Sequence, residues 1–582
     1  MKYSFFTLNK YYTYFFLKEL KNLVFTIECK IRKIYVNFLN IKSYNNYKKF
    51  LLQSKIFYGN KQKKLNDSSN GVLLVTYAVA HPAYFLGQII ASKNLEKILG
   101  LKVVQSMSKN DIICEALGKN SGIDEKWIFD KCDLITRLKY FIRSIKILSS
   151  IDKIDDIYNF KINQVKIGEI VIDHYIRFTG IPSVNSLDFK FFYFFSKALE
   201  IYEYANKIFE EKNIKGLLIS ETQFIPSAIM FQTALTKKCK VYVRYGGPKR
   251  YGIRVYSDIL EVYTAKYSIS KDLFEETYKK NFHQVTTEGD KIIKNRFLNI
   301  RDFPELSYNT ENLNREIPFD KKNKKNSSTR LVLNKEEICK KFDWDLEKPI
   351  VIIFDHSFLD GLFVNGRVFF KDNISWIRET FKEIKKISKV NWLIKAHPER
   401  ADLLHKSITS TENEFKKIIG NENHIKIFPN NYSSSSLPEI ASAIITGYGT
   451  PGIEYPCFGI PCILGNKSHY SGHGFTYEPQ SKKEYFDYLY NIDKIEKLSE
   501  DQINRAKTFL YMENVLLLNE SPLLPYYRFT REFFYKDYEN NFWLECTNLL
   551  KKYDKNKDIF NIMLEKQIKL NNKKTINFNM LK

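Results

Sequence analysis

What this sequence lacks narrows it first. No uninterrupted apolar stretch is long enough to cross a bilayer, so a membrane-spanning chain is not expected. The N-terminus has no clean signal peptide: Lys10, Lys18, Glu19 and Lys21 interrupt its apolar residues, and no small-residue cleavage site comes after them. Eight cysteines form no C-x-x-C pair and no Cys/His cluster, which argues against zinc and for a reducing, cytoplasmic setting. There is no internal repeat. Acidic residues are also short, with 91 Lys/Arg against 66 Asp/Glu and a net charge of +25.

Such a charge invites a nucleic-acid reading. No recognisable nucleic-acid motif supports it, and Lys, Asn, Ile, Tyr and Phe are abundant throughout, so part of the charge is compositional. The remainder is local: residues 1–65 hold 14 Lys/Arg and 2 Asp/Glu, interleaved with Tyr11, Tyr12, Tyr14, Phe15 and Phe16. Two readings of this extension stand side by side. It is an amphipathic helix lying on an anionic membrane, which would make the protein peripheral to the inner face of the cytoplasmic membrane. Or it is a helix packed on the body with a solvated basic face.

What is present fits a large α/β protein. A chain of 582 residues is too long for one core and implies two domains with appendages. From Gly71, short buried strands (72–75, 102–104, 216–220, 241–243) alternate with helical segments such as 84–99, and 124–210 reads as mostly helical. That spacing predicts a parallel, doubly wound sheet. Residues 301–345 are polar and lysine-rich and read as a linker, with a short helix starting near Leu333. A second α/β domain opens at Pro349, with strands at 350–354 and 391–395 around a helix at 376–387. The expected division is a basic extension (1–65), an N-terminal domain (66–300), the linker (301–345), a C-terminal domain (346–500) and C-terminal helices (501–582).

Ligands in open α/β sheets bind beyond the carboxyl ends of the strands. This rule selects His81 after the first strand, Glu221 after Ile219-Ser220, Arg244 after Val243, Asp355 and Asp360 after Phe354, and Lys395 and His397 in the Lys395-Ala396-His397-Pro398 loop. Carboxylates there can act as bases or cap the next turn. A lysine and an imidazole can neutralise a diphosphate, although a lone loop histidine bonded to backbone looks the same in sequence. For Arg244 an ordinary ion pair competes with an acceptor-side role.

The richest stretch is 430–476. Ser436 and Glu439 have capping-box spacing with Pro438 in the first turn, which predicts a helix start. Ala443–Thr446 reads as a strand, Gly447-Tyr448-Gly449-Thr450-Pro451-Gly452 as a loop opening a helix, Gly459-Ile460-Pro461 as its end and Cys462-Ile463-Leu464 as the next strand. A Gly-rich turn at a helix N-terminus offers free N–H groups to a phosphate; the same glycines also permit close packing. Glu454 would lie within reach of a sugar hydroxyl.

This stretch resembles the C-terminal signature of bacterial capsule and surface-polysaccharide glycosyltransferases, including the capsule Kdo transferases. The shared features are the hydroxyl-rich helix start with Ser435 and Ser436, then Thr450, Gly452 and Glu454, then Gly459 and Pro461, and finally Tyr470-Ser471-Gly472-His473-Gly474-Phe475-Thr476. His397-Pro398 matches the family's HP motif, with Ala396 where an apolar residue such as Leu is usual. The Asp355–Asp360 segment corresponds more loosely.

The resemblance implies a GT-B-like enzyme with two facing Rossmann-like domains. It implies a nucleotide sugar held by Lys395, His397, Ser435, Ser436, Thr450, Gly452 and Glu454, with Glu221, Asp360 or Asp355 as the catalytic carboxylate. His81 and Arg244 would lie on the side of a glycan or glycolipid acceptor. No metal or other cofactor and no nucleic acid are expected. A CDP-glycerol-type glycerophosphotransferase shares the fold and a similar loop, and a non-catalytic basic binding protein is the alternative of a different class.

Overall fold

A computed structural model of the chain describes residues 5–39, 41–62, 71–77, 82–247, 249–297, 333–366, 369–397, 406–429, 432, 434–525, 542–554 and 558–571. Two sheets organise it. In the N-terminal domain, β1 (Val72–Thr76), β2 (Lys102–Met107), β3 (Lys126–Ile128), β4 (Ile214–Ile219) and β5 (Lys240–Gly246) run parallel in the spatial order β5-β4-β1-β2-β3. The antiparallel β6 (Arg250–Tyr256) extends this sheet beyond β5. In the C-terminal domain, β7 (Ile350–Phe354), β8 (Asn391–Lys395), β9 (Ile425–Ile427), β10 (Ala441–Thr446) and β11 (Cys462–Leu464) are all parallel, in the order β11-β10-β7-β8-β9. The chain is therefore α/β and GT-B-like, with two Rossmann-type sheets.

The central strands form because they are short apolar runs buried on both faces. Every residue of Ile350–Phe354 and of Asn391–Lys395 is buried, as expected for a parallel sheet covered by helices. Each large aliphatic side chain so buried contributes roughly 1.5–3 kcal/mol. Strand order reverses between β1 and β4 in one sheet and between β7 and β10 in the other. These two switch points are where parallel sheets open a crevice at their carboxyl ends.

The appendages tie the halves together. Helices Lys271–Lys280 and Phe282–Phe297 come before the C-terminal strands in sequence, yet their Phe274, Val285 and Ile293 pack into the core of the C-terminal sheet with Phe509 and Leu510. Beyond helix Glu500–Tyr511, the two-residue strand β12 (Asn519–Glu520) joins the edge of β6. Helix Phe542–Lys552 then packs Trp543 against Tyr47 and Phe50 of the N-terminal helix Ile41–Gln62. The two ends of the chain thus share the N-terminal domain's core.

The first helix, Phe5–Leu39, fits neither sequence reading alone. One face is packed: Phe15 stacks on Phe141 at 4.9 Å, Tyr11 on Phe192 at 4.8 Å, and the buried Glu19 accepts from Arg137 at 2.6 Å. Among the described side chains the remaining surface is not solely basic, because it exposes Phe16, Leu20, Val24, Ile27 and Ile31 alongside Lys10 and Lys21.

Candidate functional site

The crevice is built by the loops that leave β7, β8 and β10. Directly after β7 come Asp355 and His356. The His356 ring lies against Tyr448, in the loop after β10, with centroids 3.9 Å apart, and 6.0 Å from His397, in the loop after β8. Burial drives His356 down to about 4, so it is neutral near pH 7; Asp360 opposes this shift and His397 adds to it. Its buried Nε2 has no hydrogen-bond partner among the described residues and stands 3.7 Å from Oδ2 of Asp360.

The N-terminal domain closes the other side. Arg177, on helix Ile167–Thr179, donates to Oδ1 of Asp360 at 3.1 Å. Four residues earlier on that helix, the buried Asp173 accepts from the backbone N–H of Leu362 at 2.9 Å. Burial holds the Asp173 carboxyl well above the usual range, and Glu169 and Glu221 add to the shift. A Cβ at Gly361 would lie 2.7 Å from Oε1 of Gln223 and 3.2 Å from Oδ2 of Asp173, so this loop meets the N-terminal domain at van der Waals distance. Asn373 fixes Tyr448 by donating to its hydroxyl at 3.0 Å.

Of the sequence candidates, Asp360, His397 and the β10 turn come together here. Glu221 ends β4 near Asp173, and its Oε1 accepts from the N–H groups of Thr222 (2.7 Å) and Gln223 (3.0 Å). Asp355 is turned inward: it is buried and accepts from the N–H of His356 at 2.7 Å and from the Thr411 hydroxyl. Burial raises its carboxyl to about 7, so as a catalytic candidate it is better read as an internal brace.

That shift has a pH consequence. As pH rises from about 4 to 7, the unfolded chain loses this proton while the folded chain keeps it, so the site's contribution to stability falls. Asp355→Asn removes the titration, and its melting temperature relative to wild type should therefore rise between pH 5 and pH 8. A difference independent of pH would contradict the buried, protonated carboxyl.

The glycine-rich turn differs from the sequence reading. The helix it opens, Pro451–Glu454, is only four residues long, and Thr450 makes no side-chain cap. Two turn N–H groups expected to be free are spent internally, Gly452 on the Gly449 carbonyl at 3.1 Å and Gly449 on the Thr446 hydroxyl at 3.3 Å. The Tyr470 hydroxyl donates to the Gly449 carbonyl at 2.6 Å, and a Cβ at Gly452 would sit 2.0 Å from that hydroxyl. Gly452 is thus the residue that lets Tyr470 brace the turn from beneath. Buried His473 and Phe475 extend the support against Phe509.

The helix expected at Ser436 does start there, with Pro438 in its first turn, but the capping box is absent. Ser436 has helical φ/ψ and makes no side-chain cap, and the helix after it spans only Leu437–Ile440. Ahead of the serines, the Phe428 ring lies 5.3 Å from the Lys395 ammonium and 6.4 Å from Tyr432. Ser435 is half-buried and Ser436 buried.

Glu454 faces Arg296, which donates to it at 2.6 Å; the Arg296 side chain is 4% exposed and that of Glu454 15%. Arg244 is buried, stacked 4.4 Å over Tyr251 and donating to the Gly247 carbonyl at 2.7 Å. This guanidinium sits inside the β5–β6 hairpin, so a direct acceptor contact does not fit it. His81 and Pro398 lie outside the described residues. Among the described residues no group of three His, Cys, Asp or Glu side chains is gathered to hold a metal ion.

No family model and no curated protein matches the sequence. Among solved structures it is similar to UDP-GlcNAc 2-epimerase from Methanocaldococcus jannaschii in complex with UDP-GlcNAc and UDP, at 10% identity over 76% of this chain and 99% of that one, with a TM-score of 0.25. It is similar to the Neisseria meningitidis UDP-GlcNAc 2-epimerase bound to UDP-GlcNAc, at 12% identity over 75% and 95%, with a TM-score of 0.24. A glycosyl transferase family 9 protein from Veillonella parvula matches at 10% identity over 76% and 97%, with a TM-score of 0.20. Likeness at this level carries no argument about chemistry, which rests on the geometry of the crevice.

Proposed function

We propose that the chain is a glycosyltransferase moving a sugar from a nucleotide-sugar donor to a glycan or glycolipid acceptor in surface-polysaccharide assembly, capsule included. The observation that carries this reading is the meeting of His356, His397 and Tyr448 at the carboxyl ends of three C-terminal strands, opposite Asp360 and Arg177. The neutral imidazole of His356, held by packing on Tyr448, can donate to a phosphate oxygen. As the glycosidic bond breaks, the departing nucleotide gains charge, and His397 and Lys395 stabilise it with help from Ser435 and Ser436. Because that contact strengthens in the transition state, His397 acts mainly on kcat. Glu454 stands beyond the braced turn, on the ribose side.

The acceptor hydroxyl needs a base, and Asp360 and Glu221 supply the cleft carboxylates. Asp360 reaches the cleft from the C-terminal domain and Glu221 from the N-terminal one. Glu221→Gln and Asp360→Asn keep shape and remove basicity, so the variant that removes the base should lose roughly 10²-fold or more in rate. Release of nucleotide from a panel of nucleotide sugars, with and without a glycolipid extract, is the assay. If both variants turn over at the wild-type rate, neither carboxylate is the base; if no donor is consumed at all, the transferase reading fails.

A further inference from the structure

We propose that the outward face of the helix Phe5–Leu39 is a docking surface for an anionic lipid bilayer, an inference that stands apart from the reaction proposed for the crevice. Among its described side chains, and flanked by Tyr12 and Tyr14, the helix is held to the body by Tyr11, Phe15, Glu19 and Asn22. At 100° per residue these four share one stripe. Phe16, Leu20, Leu23, Val24, Ile27 and Ile31 fall on a second stripe, roughly 80–180° round the helix from Phe15, and each is about half exposed, from 48% to 56%. Helices of soluble proteins bury their apolar stripe; here the buried stripe and an exposed apolar stripe occur on the same helix.

The charges around the face select its occupant. Lys10 and Lys21 are exposed on this helix, and Lys18 is half-buried at the edge of its packed side, near Lys190. One of the helix's two acidic residues, Glu19, is withdrawn into the body by Arg137, which leaves Glu28 as the one acid on its exposed surface. An apolar stripe with a basic margin matches acyl chains beneath anionic headgroups. A second copy of this chain would bring the same lysines together. No described helix is long and apolar enough to cross a membrane, so the helix would lie in the interface plane.

The experiment is flotation of the full chain with phosphatidylcholine vesicles, with and without 30% phosphatidylglycerol, at low and high salt. The wild type should float with the anionic vesicles, and less so at high salt. Leu20→Glu/Val24→Glu/Ile27→Glu alters only exposed positions, so its melting temperature should hold while partitioning falls roughly 100-fold. Equal flotation on both vesicle types, or unchanged flotation of the triple variant, overturns the proposal. So does a wild-type dimer in light scattering that the triple variant dissociates, with no flotation by either, because the face would then be covered by a second copy.

Discussion

His356→Ala is expected to lower kcat by roughly 10²-fold or more while changing donor KM far less. The imidazole is neutral, packed on Tyr448, and its buried Nε2 has no partner among the described residues. A buried polar atom in that state costs free energy unless something meets it. The reacting groups would meet it, and a preorganised buried donor or acceptor is worth more than one in water. His356→Gln retains one amide hydrogen bond at similar reach and should recover part of the rate. If alanine and glutamine variants both turn over like wild type, His356 only supports Tyr448.

Glu454→Ala should have the largest effect on stability. Arg296 is almost fully buried, with its NH1 on Glu454 and its NH2 on Oδ1 of Asn514 at 3.4 Å. Removing the carboxylate leaves a buried guanidinium uncompensated, a loss of about 3–5 kcal/mol. Glu454→Ala/Arg296→Met removes both charges and should regain much of it, as denaturant titration of the single and double variants would show. A double variant no more stable than the single would contradict this pairing. The ribose role of Glu454 is therefore better tested with Glu454→Gln, which keeps a hydrogen bond to Arg296 and should raise donor KM with kcat nearly unchanged.

How far the sequence could be read depended on where each element's stabilisation comes from. β7, β8 and β11 were legible to the residue, because each is a buried apolar run ended by polar or glycine residues. β6 was not: Arg250–Tyr256 mixes Arg, Tyr and Gly, and it forms because it pairs with β5. β12 is two residues with no local signal, set by docking onto β6. The Ser436–Glu439 spacing suggested a cap that tertiary packing overrode, since Leu437 and Ile440 are buried in the core.

In the site, the strand-end rule that selected Asp355 should also have selected His356 and Tyr448, the residues that occupy the crevice. Asp355 attracted attention as a carboxylate, whereas burial beside Thr411 makes it internal. Arg177 and Asp173 carry no local signal at all. Their partners, Asp360 and Leu362, lie more than 180 residues away and meet them only through the tertiary fold.

A nucleotide held at the carboxyl ends of β7, β8 and β10 would register in calorimetric titration of the full chain. CMP, CDP, UDP and GDP are titrated into wild type and into His397→Ala. The free nucleotide carries the charge that the leaving group acquires, so His397 should matter to its binding. One nucleotide should bind wild type one-to-one, and His397→Ala should weaken it by about tenfold, or 1.4 kcal/mol. Binding by none of the four, or binding unchanged in a folded His397→Ala, would contradict the account.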